Sequence, residues 1–167
     1  MGSNADGLVR RLVPQQLLLL VAALLLPLAH ATGGADAQPM QIVGNWLTEK
    51  HDGIIQISVA GDGSYQGRIA GGNDPQRLDQ HNPDDTRRSH TLLGQTIFQG
   101  MKYDGDGKWT GGTIYDPDSG RSYKCRLELL DQNRLQVHGF VGFALLGRSQ
   151  VWTRYSGTSM TLPPTPR

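Results

Sequence analysis

The sequence predicts an all-β protein, a single closed antiparallel β-barrel of about eight strands preceded by a cleaved signal peptide. Three observations predict it. Short runs of period-two apolar alternation recur at hairpin spacing, Asp-Gly turns fall between them, and Gly44-Asn45-Trp46 and Trp152-Thr153-Arg154 bracket the whole set.

Before the bracket, Arg10 and Arg11 precede an apolar run from Leu17 to Leu26, followed by Pro27 and small residues. This is the three-part layout of a secretory signal peptide. A run of about ten residues is too short for a helix crossing a bilayer, which needs roughly 20. Two small-x-small sites follow, Ala29-His30-Ala31 and Ala35-Asp36-Ala37. The first lies at the usual distance from the run, so cleavage is expected after Ala31, with Ala37 as the alternative. The single cysteine, Cys125, is far from the run, which excludes a lipoprotein anchor and an intrachain disulfide. The expectation is a periplasmic or secreted protein with no transmembrane segment in its mature chain. Residues 32–41 read as a linker, 42–155 as the barrel, and 156–167, with Pro163, Pro164 and Pro166, as a disordered tail.

The mature chain of about 130 residues fits one domain with a working core. A net charge of +1 with interspersed signs gives no electrostatic footprint for nucleic acid or an anionic membrane. The 22 glycines and the lack of any sustained helical spacing point to turns and short strands.

In order, the first strand is expected around Trp46 to Thr48. The second runs from Ile54 to Val59, where Ile55, Ile57 and Val59 alternate with Gln56 and Ser58. Asp62-Gly63 makes a hairpin turn into a third strand from Ser64 to Ala70, because such turns require positive backbone angles. A long polar connection leads to Thr96–Tyr103, and a second Asp-Gly turn at 104–107 leads to Trp109–Tyr115. Asp116-Pro117-Asp118-Ser119-Gly120 is a proline-preset turn. From Ser122 to Leu129 the alternation puts Tyr123, Cys125, Leu127 and Leu129 on one face. Leu135 and Val137 continue the pattern, and Gln150–Tyr155 supplies the last strand. Such a barrel has no exposed edges and either packs solid or holds one small ligand.

Gly44-x-Trp46, Gly67-Arg68-Ile69, Asp79-x-x-Asn82-Pro83, Gly112-Thr113-Ile114-Tyr115-Asp116-Pro117, Gly139-Phe140 and Leu146-Gly147-Arg148 running into Trp152-Thr153-Arg154 together carry a resemblance. The chain resembles the bacterial domain-of-unknown-function family 2147 over almost its whole mature length. The resemblance implies an exported, lipocalin-like β-barrel. The segment Ala70-Gly71-Gly72-Asn73 departs from that pattern, being polar and glycine-rich where the family is expected to run apolar.

Trp46 and Arg154 are assigned a structural role, an arginine stacked on an indole across the barrel floor. The connection from Asn73 to His90 gathers Asp74, Asp79, Asn82, Asp84, Asp85 and His90 beside Arg77, Arg87 and Arg88. Its spacing is not that of a calcium loop, and Asp79 and Asn82 also read as turn caps. His81, His90 and His138 lack close metal-ligand spacing, so no metal site is assigned. Cys125 reads as a buried small hydrophobe. Nucleophile-elbow, dinucleotide and phosphate-loop signatures are missing, and no cofactor is expected. The apolar, glycine-broken stretch from Gly139 to Gly147 reads either as a flap at a barrel mouth or as a hairpin tucked into the core.

These readings converge on a non-enzymatic exported barrel that binds a small, partly apolar molecule or a cell-envelope component. Trp109, Tyr115, Tyr123 and Phe140 are its candidate lining residues, with Asp79, Asn82 and Arg87 at the rim. A packed scaffold that binds another protein through its loops is the alternative. A hydrolase or isomerase acting from the 73–90 connection is the third.

Overall fold

The computed structural model describes residues 37–142 and 147–164. The signal-peptide reading, on residues 1–36, lies outside the described residues, as do residues 143–146 of the apolar stretch. Eight strands close an antiparallel barrel in sequence order: β1 (Gly44–Leu47), β2 (Gly53–Val59), β3 (Tyr65–Gly72), β4 (Thr96–Gly105), β5 (Lys108–Asp116), β6 (Arg121–Asp131), β7 (Arg134–Phe140) and β8 (Gly147–Arg154). β8 returns to β1 through the pairs Trp46 with Arg154 and Leu47 with Thr153. A single helical turn, α1 (Ala37–Met40), stands where the linker was expected.

The turns explain why the chain reverses where it does. Asp106 and Gly107 both take positive φ, 50° and 70°, between the paired Gly105 and Lys108. That is the mirror-image turn whose twist suits a tight hairpin. At the β2–β3 turn Asp62 accepts hydrogen bonds from the Ser64 backbone N–H at 3.0 Å and from its hydroxyl at 2.7 Å. The Ser64 hydroxyl, then its N–H, hold the Asp62 carboxyl below the usual range.

Two strand ends differ from the sequence reading. β3 continues through Gly72 instead of stopping at Ala70. A Cβ at Gly71 would collide with the Met160 carbonyl, and one at Gly72 would lie 2.6 Å from the Asp52 carbonyl, so the glycines let backbone approach backbone there. β8 begins at Gly147, not Gln150, because β7 pairs with it as far as Phe140 opposite Gly147. Its polar start, Arg148-Ser149, hides the strand from a search for apolar alternation.

Part of the tail pairs with a strand edge. Beyond Arg68, β3 no longer pairs with β4, which leaves free edge groups. Residues 160–162 fill them: Gly72 N–H donates to the Met160 carbonyl, and Leu162 N–H to the Gly72 carbonyl, each at 3.0 Å.

The barrel interior divides into two halves. Toward the β2–β3, β4–β5 and β6–β7 hairpins it is packed solid by Trp46, Ile57, Tyr65, Met101, Trp109, Leu127 and Leu135, all at most 6 % exposed. Each such side chain contributes about 1.5–3 kcal/mol by leaving water. Gly67 faces the Phe98 ring and Gly112 faces Met101, and bare Cα atoms at these two positions let the larger side chains cross the axis.

A plug seals this end. The Trp46 indole N–H donates to the Ile42 carbonyl at 2.8 Å, and the Arg154 guanidinium lies 4.2 Å from the Trp46 ring centroid. Arg154 also donates to the carbonyls of Gln132, Val43 and Gln41 at 2.7, 3.3 and 2.5 Å. One side chain thus ties the β6–β7 hairpin to the segment entering β1. The net gain of a stacked arginine is about 0.5–2 kcal/mol.

Candidate functional site

The other half of the barrel is open. At the end carrying the β1–β2, β3–β4, β5–β6 and β7–β8 connections lies a cavity of about 440 Å³. Ile55, Ile69, Ile97, Ile114, Val137 and Trp152 contribute apolar surface to it, and Tyr123 and Phe140 belong to its wall. The inward-facing sequence explains the void. Bulky side chains fill the hairpin end, whereas toward the mouth β7 presents only Gly139. Among the described residues, a Cβ built on Gly139 would touch only Ile114 at 3.4 Å and Tyr123 at 3.7 Å.

Charged residues from several connections ring the mouth. Lys50 and Asp52 come from the β1–β2 connection, Asp74 and Arg77 from β3–β4, Asp116 and Asp118 from the end of β5 and its turn, and Arg148 from β8. Asp118 receives Arg77 in a direct ion pair, and the Lys50 ammonium stands 3.9 Å from its other oxygen. The remaining carboxylates are engaged locally. Asp52 accepts from the Thr48 hydroxyl, Asp74 from the Gln76 N–H, and Asp116 from the Asp118 N–H and the Ser119 hydroxyl.

The long β3–β4 connection is held by a buried carboxylate. Asp79 is 0 % exposed, with Oδ1 accepting the Tyr115 hydroxyl and Oδ2 the Asn82 side-chain amide, each at 2.6 Å. Asn82 Oδ1 in turn accepts the Asp84 N–H at 3.0 Å, and its carbonyl accepts Arg88 Nε at 2.8 Å. Burial, and then the hydrogen bond to Asp79, push the Tyr115 phenol up to about 12. The Asp79–Tyr115 contact therefore clamps the connection onto β5 beside the cavity.

The residues singled out from sequence fall into three groups. Tyr115, Tyr123 and Phe140 lie on the cavity wall. Trp109 does not: it is fully buried in the packed half, 6.1 Å from the Tyr65 ring and 5.1 Å from the Tyr103 ring. Inward parity selects it, but its height along the barrel puts it below the cavity. Asp79 and Asn82 are buried clamp residues rather than rim groups, because their polar atoms are consumed by Tyr115 and by each other. Arg87 is exposed on the short 3₁₀ turn and is not part of the cavity wall. Trp46 and Arg154 form the plug at the opposite end.

Cys125 is buried, and burial pushes its thiol up to about 12, so it is protonated and inert at neutral pH. His138 stacks on Phe140 with centroids 5.6 Å apart, and its Nδ1 lies 2.8 Å from the Ser149 hydroxyl. Among the described residues no cluster of His, Cys, Asp and Glu is arranged to hold a metal, and no helix is long and apolar enough to cross a membrane. Sequence reasoning missed Trp152, Gln150 and Arg148 as a cavity wall. Their spacing of two was the available signal, and starting the last strand at Gln150 concealed it.

An eight-stranded antiparallel barrel, plugged at one end and hollow at the other, defines a lipocalin-like calyx. The protein HP1028 of Helicobacter pylori, described as belonging to the lipocalin family, shares this fold with a TM-score of 0.61 at 17 % identity, over 68 % of this chain and 82 % of that one. The family described as "Uncharacterized protein conserved in bacteria (DUF2147)" matches residues 44–154, and the chain belongs to it. Comparison with curated proteins gives no match.

Proposed function

We propose that this protein is a non-enzymatic carrier or receptor that holds one small, partly apolar molecule in the open half of its barrel. The observation that carries the reading is the division of the interior. One half is filled by aromatic and aliphatic side chains, while the other keeps about 440 Å³ between Ile, Val and Trp side chains. That size and lining suit a small-molecule site, for which 300–1,000 Å³ is typical. The groups with catalytic potential support a binder over an enzyme: the Cys125 thiol is protonated and the Asp79 carboxylate is occupied. Residence in the periplasm or outside the cell is proposed from the leader-like residues 10–31 alone.

The test is a titration of the purified mature protein with N-phenyl-1-naphthylamine, a neutral apolar fluorophore. Trp152 contributes to the cavity wall, whereas Trp46 and Trp109 are buried in the packed half. Saturable one-to-one enhancement of the probe, with quenching that is lost in Trp152→Phe, is the expected result. A linear, unsaturable response up to the solubility limit of the probe would sink the proposal.

A further inference from the structure

We infer that the cavity selects an amphiphile with a single anionic head, and that Arg148 and Gln150 are the residues that read that head. This rests on the cavity-binding reading above and names its ligand class.

The argument starts from strand parity. Trp152, Gln150 and Arg148 alternate along β8 and all contribute to the cavity wall, so they form a ladder from its depth to its mouth. Exposure follows height: Trp152 is 2 % exposed, Gln150 is half-buried and Arg148 is exposed. The lowest rung fixes the next. The Trp152 indole N–H donates to Gln150 Oε1 at 3.1 Å, which engages the amide oxygen and leaves the N–H₂ group to donate. Among the described residues that N–H₂ group has no hydrogen-bond partner, and Arg148 has neither an ion-pair nor a hydrogen-bond partner. One wall of an apolar cavity thus ends in a primary amide whose N–H₂ group can donate, followed by a guanidinium.

The carboxylates at the mouth have hydrogen-bond or ion-pair partners of their own. Asp52, Asp74 and Asp116 are held by Thr48, Gln76 and Ser119, and Asp118 is taken by Arg77 with Lys50 nearby. Arg148 sits opposite Gly139, whose missing side chain keeps its approach to the cavity open. A ligand that fills the apolar depth and presents a carboxylate or a comparable monoanion at the mouth would satisfy both donors. A neutral head would leave the guanidinium without a counter-charge, and a cationic head would meet it with repulsion. Hydrogen bonds between ionised partners are about twice as strong as neutral ones.

The experiment is displacement of N-phenyl-1-naphthylamine from the mature protein by dodecanoate, 1-dodecanol and dodecyltrimethylammonium, at constant ionic strength. Arg148→Gln is compared with Arg126→Gln, which removes the same charge from the exposed outer face of β6. Dodecanoate is expected to bind about tenfold more tightly than the alcohol, an advantage of the size charge-assisted hydrogen bonding supplies. Arg148→Gln should erase that advantage and leave the alcohol unchanged, while Arg126→Gln should change neither. Equal affinity for acid and alcohol, or an unaltered acid preference in Arg148→Gln, overturns the head-group assignment while the cavity reading stands. Displacement by none of the three, with the probe itself unbound, overturns both.

Discussion

Replacing Asp79 with alanine removes the acceptor on which the β3–β4 connection hangs. Asp79 is 0 % exposed and accepts two hydrogen bonds of 2.6 Å, from Tyr115 and Asn82. Each bond to a charged group contributes about 1.5–3 kcal/mol, and relief of carboxylate burial offsets part of the loss, so the net cost should be about 3 kcal/mol. Asp79→Asn keeps the shape and can turn its oxygen to the Asn82 amide and its N–H₂ to the Tyr115 hydroxyl, which then has to accept, so both charge-assisted bonds become neutral ones. Asn82 keeps its Oδ1 on the Asp84 N–H throughout; a cost of about 1–2 kcal/mol follows. Tyr115→Phe removes one donor, and the coupling in the Asp79→Ala/Tyr115→Phe cycle should be about 1–2 kcal/mol. Urea unfolding followed by tryptophan fluorescence measures the four variants against the parent. Loosening should also expose Arg87-Arg88 to trypsin ahead of the barrel. The same contact has a pH signature of definite sign. The Tyr115 phenol is raised from 10.0 to about 12, so the folded state holds that proton more tightly than the unfolded chain. Its stabilising contribution is complete below pH 10 and is lost as pH rises toward 12. In Asp79→Ala the phenol should titrate lower, by ultraviolet absorbance, yet stay above 10 because burial is the larger cause. A stability loss under about 1 kcal/mol with an unmoved phenol titration would refute the clamp.

Arg154→Ala should cost about 2–3 kcal/mol by urea unfolding, since it removes the stack on Trp46 and donors to three carbonyls; Arg154→Lys, with fewer donors, should recover only part, and full recovery would contradict the plug geometry. Gly67→Ala drives a Cβ into the Phe98 ring and should destabilise by about 1–3 kcal/mol. Pairing it with Phe98→Leu should return part of that loss, and purely additive costs would argue against the contact. Cys125 should resist an aromatic disulfide reagent at neutral pH in the native protein and react promptly in urea, as its burial and a thiol pushed up to about 12 require; equal rates in both would contradict its placement.

The barrel was legible because it is written locally. Period-two alternation in Ile55 and Ile57, or in Tyr123, Cys125 and Leu127, fixes which side faces in, and Asp106-Gly107 fixes where the chain turns. Height along the barrel axis is not local. Trp109 and Tyr123 share inward parity, but one lies in the packed half and the other at the cavity, a distinction set by strand stagger around the closed sheet. Asp79 and Asn82 were visible as special polar residues, yet their partner Tyr115 comes from β5, so sequence showed the groups without the contact. Arg148 was hidden because a polar strand start carries no apolar alternation. The pairing of residues 160–162 with Gly72 is likewise not local, because the edge they meet is a consequence of where β4 begins.

The central claim is that the hollow half of the barrel is a binding site, and filling it from within tests that most directly. Gly139 faces the cavity in an ordinary strand conformation, and among the described residues a Cβ there meets only van der Waals contacts. Gly139→Leu therefore places an isobutyl group in the void while leaving the packed half and its plug untouched. Titration of this variant and the parent with N-phenyl-1-naphthylamine, alongside urea unfolding of both, should show affinity reduced by at least about tenfold with stability unchanged or raised, as expected when an apolar group occupies the ligand's space. Equal affinity in the two proteins would place the bound molecule elsewhere and contradict the account.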